Sequence, residues 1–60
     1  MTLLTPKQVA DKLKVGKSKV YQLAKEGRLA CFKIGGSVRF SEEDIDEYLN
    51  KHRMKAIKYL

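Results

Sequence analysis

Two short amphipathic segments of this chain are separated only by Lys14-Val15-Gly16. Three or four residues between two helices is the length of a helix-turn-helix corner, and that spacing leaves few alternative arrangements. The segment before the corner carries a dense start signal. Thr5 is a suitable N-cap, Pro6 sits at the first helical position, and Gln8 completes a capping box. Leu4 and Val9 occupy the positions of a hydrophobic staple. Val9, Ala10 and Leu13 share one face, which predicts a helix over about residues 6–13. After the corner, Gly16 serves as the next N-cap and Gly27 as a C′ residue free to take positive φ. A second helix is predicted over about residues 17–26.

The stretch "LACFKIGGSVRF" alternates apolar and basic residues around a Gly-Gly-Ser tip, a hairpin signal. Side-chain parity favours a three-residue loop, Gly35-Gly36-Ser37. Ile34 then opposes Val38, Phe32 opposes Phe40, and Lys33 opposes Arg39 on the non-core face. Ser41 caps a third helix through "SEED", with Glu42, Glu43 and Asp44 where the helix dipole favours anions. Phe40 and Ile45 form its staple. Ile45, Tyr48, Leu49, His52, Ala56, Ile57 and Leu60 keep the apolar spacing, which carries the expected helix past residue 55 with a fraying last turn. The predicted fold is mostly α with a small β-hairpin: a winged helix-turn-helix closed by a helix. It is one domain, residues 1–60, with a core over about 3–52 and a helical extension at 53–60.

Sixty residues bury only about 60% of the surface their unfolded chain exposes, which leaves a small core and no deep catalytic cavity. The net charge of +6 is unevenly placed. Residues 1–41 hold nine Lys and Arg against Asp11 and Glu26; residues 42–50 hold five acids and no base; residues 51–60 hold four bases. The basic stretches favour a polyanionic partner, and the acidic block marks a side that faces away from it. Solubility is the alternative reading of the same charges. The single cysteine, Cys31, excludes an internal disulfide and a cysteine-built metal site. A lone thiol fits a reducing compartment, no leader precedes the first structured residues, and no long apolar run offers a transmembrane helix. The expectation is therefore a cytoplasmic, nucleoid-associated chain with no membrane contact.

In the order "LLTPKQVADKL", "KSKVYQLAKEGRL", "FKIGGSVRF" and "SEEDIDEYL", covering about residues 3–50, the chain resembles the excisionase-type, MerR-like winged helix-turn-helix proteins. Val9, Ala10, Leu13, Val15, Val20 and Leu23 match the helix-turn-helix pattern, and Ala10 is the small residue that lets two helices approach. There are two departures. Such proteins usually carry Gly where this chain has Lys14, and Ser where it has Gly16. A left-handed Lys14 costs about 1–2 kcal/mol. The resemblance implies double-stranded DNA as the partner. It also implies an integrase or recombinase that does the cutting, and side-by-side self-association on DNA. An architectural, recombination-directionality role in a mobile element is implied first, and a stand-alone MerR-like transcription regulator is the alternative. A protein-interaction adaptor that uses the basic face remains a third reading. Drug or metal sensing, which other members perform with further domains, is not carried over.

On the second helix, at about 100° per residue, Val20, Leu23, Ala24 and Gly27 share one side. Ser18, Gln22 and Lys25 point the opposite way, with Tyr21 on the flank. The first turn of such a helix enters the major groove. Gln pairs with adenine, Lys donates to guanine, and Ser pairs with either, so Lys17, Ser18 and Gln22 are the expected base readers. Lys19, Tyr21 and Lys25 are expected on phosphates, which position without specifying. A plain solvated face is the alternative.

On the wing, Lys33 and Arg39 are expected to contact the backbone or the minor groove, Arg39 with its guanidinium fork. The alternative is that these charges keep the hairpin edge from aggregating. Lys7 at the first helix N-terminus can approach a phosphate, while Lys12 and Lys14 fit solvated charge equally well. Arg28 either holds a phosphate or pairs with Glu26 or an acid of the last helix. Cys31 reads as a small, partly buried strand residue, and His52 as packed or solvated. Two such residues make no metal site and no base–nucleophile pair. No enzymatic activity and no cofactor are expected. The segment "KHRMKAIKYL" either extends the packing of the third helix or touches a neighbouring protein.

Overall fold

The computed structural model describes residues 1–54. Among them the order is β1 (Leu3–Leu4), α1 (Pro6–Leu13), α2 (Lys17–Lys25), β2 (Phe32–Ile34), β3 (Ser37–Ser41) and α3 (Glu42–Lys51). The three strands form one antiparallel sheet in the order β1-β3-β2. The architecture is the expected winged helix-turn-helix, with one strand that was not expected. β1 pairs its two residues with the end of β3, Leu3 against Ser41 and Leu4 against Phe40. Glu42 N–H donates to the Thr2 carbonyl at 2.9 Å and prolongs that pairing. No described helix is long and apolar enough to cross a membrane.

The start of α1 forms as its residues dictate. Gln8 N–H donates to Thr5 Oγ1 at 3.2 Å, and Thr5 N–H donates back to Gln8 Oε1 at 2.8 Å. Two of the orphan donors at the helix start are thereby satisfied. α1 and α2 end in the same kind of motif. After α1, Lys14 is left-handed (φ 58°, ψ 43°) and Val15 N–H donates to the Ala10 carbonyl at 3.0 Å. After α2, Gly27 has φ 74° and Arg28 N–H donates to the Leu23 carbonyl at 2.9 Å. Both are six-residue helix closures that need one left-handed residue. Glycine adopts that conformation freely, and lysine does not. Lys14→Gly is therefore expected to raise stability by about 0.5–1 kcal/mol, the relief of strain less the extra freedom of the unfolded chain. A urea titration of both variants measures it.

The core gathers one or two residues from each helix. Val9 and Ala10 of α1, Val20 and Leu23 of α2, Leu29 of the connector, Phe40 of β3 and Ile45 of α3 are buried together. Val9, Val20, Phe40 and Ile45 are fully enclosed. Leu4, Leu13, Ala24, Val38 and Tyr48 close its rim. Ala10, 5% exposed, is the small residue at the α1–α2 crossing. Val15 departs from the expected pattern: it is 39% exposed, outside the core.

The wing differs from the expectation in register. Ile34 pairs with Ser37, Lys33 with Val38, and Phe32 with Arg39. The loop is thus the two residues Gly35-Gly36, with Gly35 at φ 61°. Positive φ at the first central position alone is the II′ geometry, whose twist matches the flanking strands. Side-chain parity failed here for a physical reason. All three residues of β2 are exposed, so no buried face specifies its register, and turn geometry decides. The consequence is that Lys33 and Arg39 lie on opposite faces of the hairpin. Phe32 and Ile34 share the Arg39 face, 40% and 56% exposed.

α3 starts at the expected N-cap, with Asp44 N–H donating to Ser41 Oγ at 3.1 Å, but the return bond that would complete a capping box with Asp44 does not form. It ends at Lys51, short of the expected extension. The His52 ring stacks on Tyr48, centroids 4.1 Å apart, and its Nδ1 lies 2.8 Å from the Tyr48 carbonyl. That contact supplies a partner for a carbonyl in the last turn. Among the described residues of the apolar stripe, Leu49 is exposed, as is Met54 beyond the helix end. The continuation over residues 55–60 lies outside the described residues.

Candidate nucleic-acid interface

The corner fixes how α2 is presented. Val20 and Leu23 are buried against α1 and the sheet, and Ala24 is half-buried. This anchoring leaves Lys17, Ser18, Lys19, Tyr21, Gln22 and Lys25 exposed along the rest of the helix. The six α2 residues expected to meet nucleic acid are therefore all on its accessible surface. Gly16 has no side chain to cap the helix, and no side-chain bond covers its first turn. Lys19 N–H donates to the Gly16 carbonyl at 3.1 Å, and the N–H groups of Lys17 and Ser18 remain able to donate to an outside acceptor.

Charge is segregated by specific pairing. Lys12 reaches across to α3, 3.1 Å from Asp46 and 4.0 Å from Glu42. Lys51 pairs with Glu47 at 3.3 Å. Three of the five α3 acids, Glu42, Asp46 and Glu47, are thus partnered on their own side of the molecule. Among the described residues, Lys7, Lys14, Lys17, Lys19, Lys25 and Lys33 make no ion pair. Lys12 belongs to the structural set, not to the free cations.

Arg28 takes the pairing alternative. Its Nε lies 3.6 Å from Glu26 Oε1. The other oxygen of that carboxylate, Oε2, accepts from Gln22 Nε2 at 3.2 Å. Gln22, Glu26 and Arg28 therefore form one chain of contacts at the end of α2. Reading each residue by its side of the helix missed this link, although Gln22 and Glu26 stand four residues apart, the spacing at which helix side chains meet.

The wing offers its two cations separately. Lys33 is exposed on the Val38 face. Arg39 is half-buried on the opposite face, and its Nη1 donates to the Val38 carbonyl at 2.8 Å. Cys31 is exposed and precedes β2, which corrects its expected place as a partly buried strand residue. Among the described residues no group of His, Cys, Asp or Glu could hold a metal ion.

A family model described as a helix-turn-helix domain matches residues 3–53. An excisionase of Streptomyces ambofaciens is 40% identical over 55 residues, which cover 92% of this chain and 89% of that protein. The "Uncharacterized protein YvgK" of Bacillus subtilis (strain 168) is 42% identical over 50 residues. That match covers 83% of this chain and 16% of that relative, so the chain spans a small part of its length. No solved structure matches significantly.

Proposed function

The chain belongs to the excisionase-type helix-turn-helix family, and from that premise we propose that it binds duplex DNA through α2 and the wing. One observation carries this reading. α2 buries Val20 and Leu23 completely or nearly so, and turns outward a face whose lysines have no acid to pair with among the described residues. Lys17, Ser18 and Gln22 meet base edges in the major groove. Lys19, Tyr21 and Lys25 hold phosphates and set the register of the helix on the duplex. Lys7 adds a phosphate contact at the start of α1. The wing supplies Arg39 from one face and Lys33 from the other to the backbone or the minor groove. Arg28 reaches a phosphate only by leaving Glu26.

The domain's own chemistry is binding. In a recombination complex it organises the DNA, and an integrase cuts and joins the strands. The similarity to an excisionase along nearly that protein's whole length supports this role over a transcriptional one. A small contact area makes affinity depend on phosphate neutralisation and on neighbouring copies.

Selection of bound sequences from random duplex DNA, at two salt concentrations, tests the reading. The wild-type chain is expected to enrich a defined site. Gln22→Ala is expected to lower affinity for that site by about 1–3 kcal/mol and to relax the preference at one position. Enrichment of no sequence, or the same site for Gln22→Ala, would contradict base reading by α2.

A further inference from the structure

We propose that Glu26 is a positioning residue for Gln22, holding its amide in one orientation before DNA arrives. The inference rests on the reading that Gln22 meets a base edge. Its starting observation is an acid in an unfavourable place. Glu26 follows the last turn of α2, where the helix dipole disfavours anions, and it borders a face meant for phosphates. Both effects oppose a carboxylate there, so its side-chain contacts are what give it a role.

Those contacts are specific. Glu26 Oε1 faces Arg28 Nε at 3.6 Å, and Oε2 accepts from Gln22 Nε2 at 3.2 Å. A carboxylate accepts hydrogen bonds and donates none, so the nitrogen of the Gln22 amide must face it. Arg28 is itself tied to the helix end through its backbone N–H, which donates to the Leu23 carbonyl at 2.9 Å. The backbone bond fixes where the Arg28 side chain starts, its guanidinium lies against one oxygen of the carboxylate, and the other oxygen holds the amide. A free amide presents its oxygen and nitrogen in either sense. The held amide presents Oε1 as acceptor and its remaining N–H as donor in one fixed sense. That pair matches the N6 donor and N7 acceptor of adenine in the major groove.

Five proteins test this in the random-duplex selection: wild type, Gln22→Ala, Glu26→Ala, Glu26→Gln, and the Gln22→Ala/Glu26→Ala double variant as the closing corner. Gln22→Ala is expected to lose about ten-fold discrimination at its base pair. Glu26→Ala is expected to lose about two- to five-fold at the same base pair, the scale of a helix-surface amide contact strengthened in an interface. The double variant should match Gln22→Ala. Glu26→Gln keeps an acceptor oxygen for Gln22 and should restore the preference, while binding all sequences more tightly through the lost negative charge. In the free protein, the Gln22 side-chain amide resonances should move toward solvent-exposed values in Glu26→Ala and not in Glu26→Gln. If Gln22→Ala alters the preference and Glu26→Ala leaves it unchanged, the positioning role is overturned and base reading by Gln22 stands. A uniform gain in affinity for Glu26→Ala, with no change in preference, overturns it likewise, since Glu26 would then act only as a repelling charge. If Gln22→Ala leaves the preference unchanged, base reading fails and the role of Glu26 falls with it.

Discussion

Phe40→Ala is expected to leave the domain largely unfolded at room temperature. Phe40 is fully enclosed and occupies a junction of the fold. It pairs with Leu4 of β1, precedes the N-cap of α3, and packs in the cluster with Val9, Val20, Leu23 and Ile45. Truncating a buried Phe to Ala costs about 3–5 kcal/mol, through lost burial and the cavity left behind. A domain of 60 residues has a total stability of about 3–9 kcal/mol. The loss is therefore comparable with everything that holds the fold together. Circular dichroism at increasing urea reads the effect. Leu49→Ala is the matched control: Leu49 is 41% exposed, and its loss should change stability by less than about 1 kcal/mol. A Phe40→Ala protein that melts cooperatively near the wild-type midpoint would mean that the core is not centred where the burial pattern puts it.

Affinity for duplex DNA is expected to fall about 500-fold when salt rises from about 50 to about 200 mM, if five cations contact phosphates. The five are Lys7, Lys19, Lys25, Lys33 and Arg39. Each neutralised phosphate releases condensed counterions, so the slope of log affinity against log salt should be about −4 to −5. Replacing any one of the five by Ala should make that slope shallower by about one unit. Lys12→Ala should leave it unchanged, because Lys12 faces Asp46 and Glu42 on the α3 side. Fluorescence anisotropy over a salt series measures all of these. A flat slope would remove phosphate neutralisation from the binding mechanism, and a Lys12 effect equal to the others would mean that charge is not divided between the two sides.

The helices were legible because their signals are local. Thr5, Pro6 and Gln8 specify the start of α1 with groups three residues apart, and both predicted hydrogen bonds form. Gly27 marks the end of α2 for the same reason. The left-handed corner was legible too, although lysine fills it. What failed depended on contacts between distant segments. β1 exists because Leu3 and Leu4 find the end of β3, and two residues carry no period of their own. The wing register is not legible in the alternation, because alternation fixes register only against a core, and β2 faces none. α3 ends at Lys51, where the His52 ring folds back onto Tyr48, a contact that apolar spacing does not encode.

The division of α2 into a buried and an exposed side followed from helical geometry alone. What the exposed side chains do to one another did not. Arg28 had several acids within possible reach, and only the folded turn selects Glu26. Lys12 seemed as free as Lys14 until α3 came alongside it. Arg39 and Lys33 were placed on one face, and a single-residue change in loop length puts them on two. Each of these corrections alters which cations are available to a ligand, while the face of α2 stays as the sequence implied.

The central claim is that α2 and the wing touch DNA and that the acidic side of α3 does not. Titration of the isotope-labelled chain with its selected duplex, followed by amide resonances, tests this most directly. The expected result is a set of large changes over residues 17–25 and at Lys33 and Arg39, with residues 42–47 nearly unmoved. Changes confined to α3, or spread evenly over the whole domain, would contradict it.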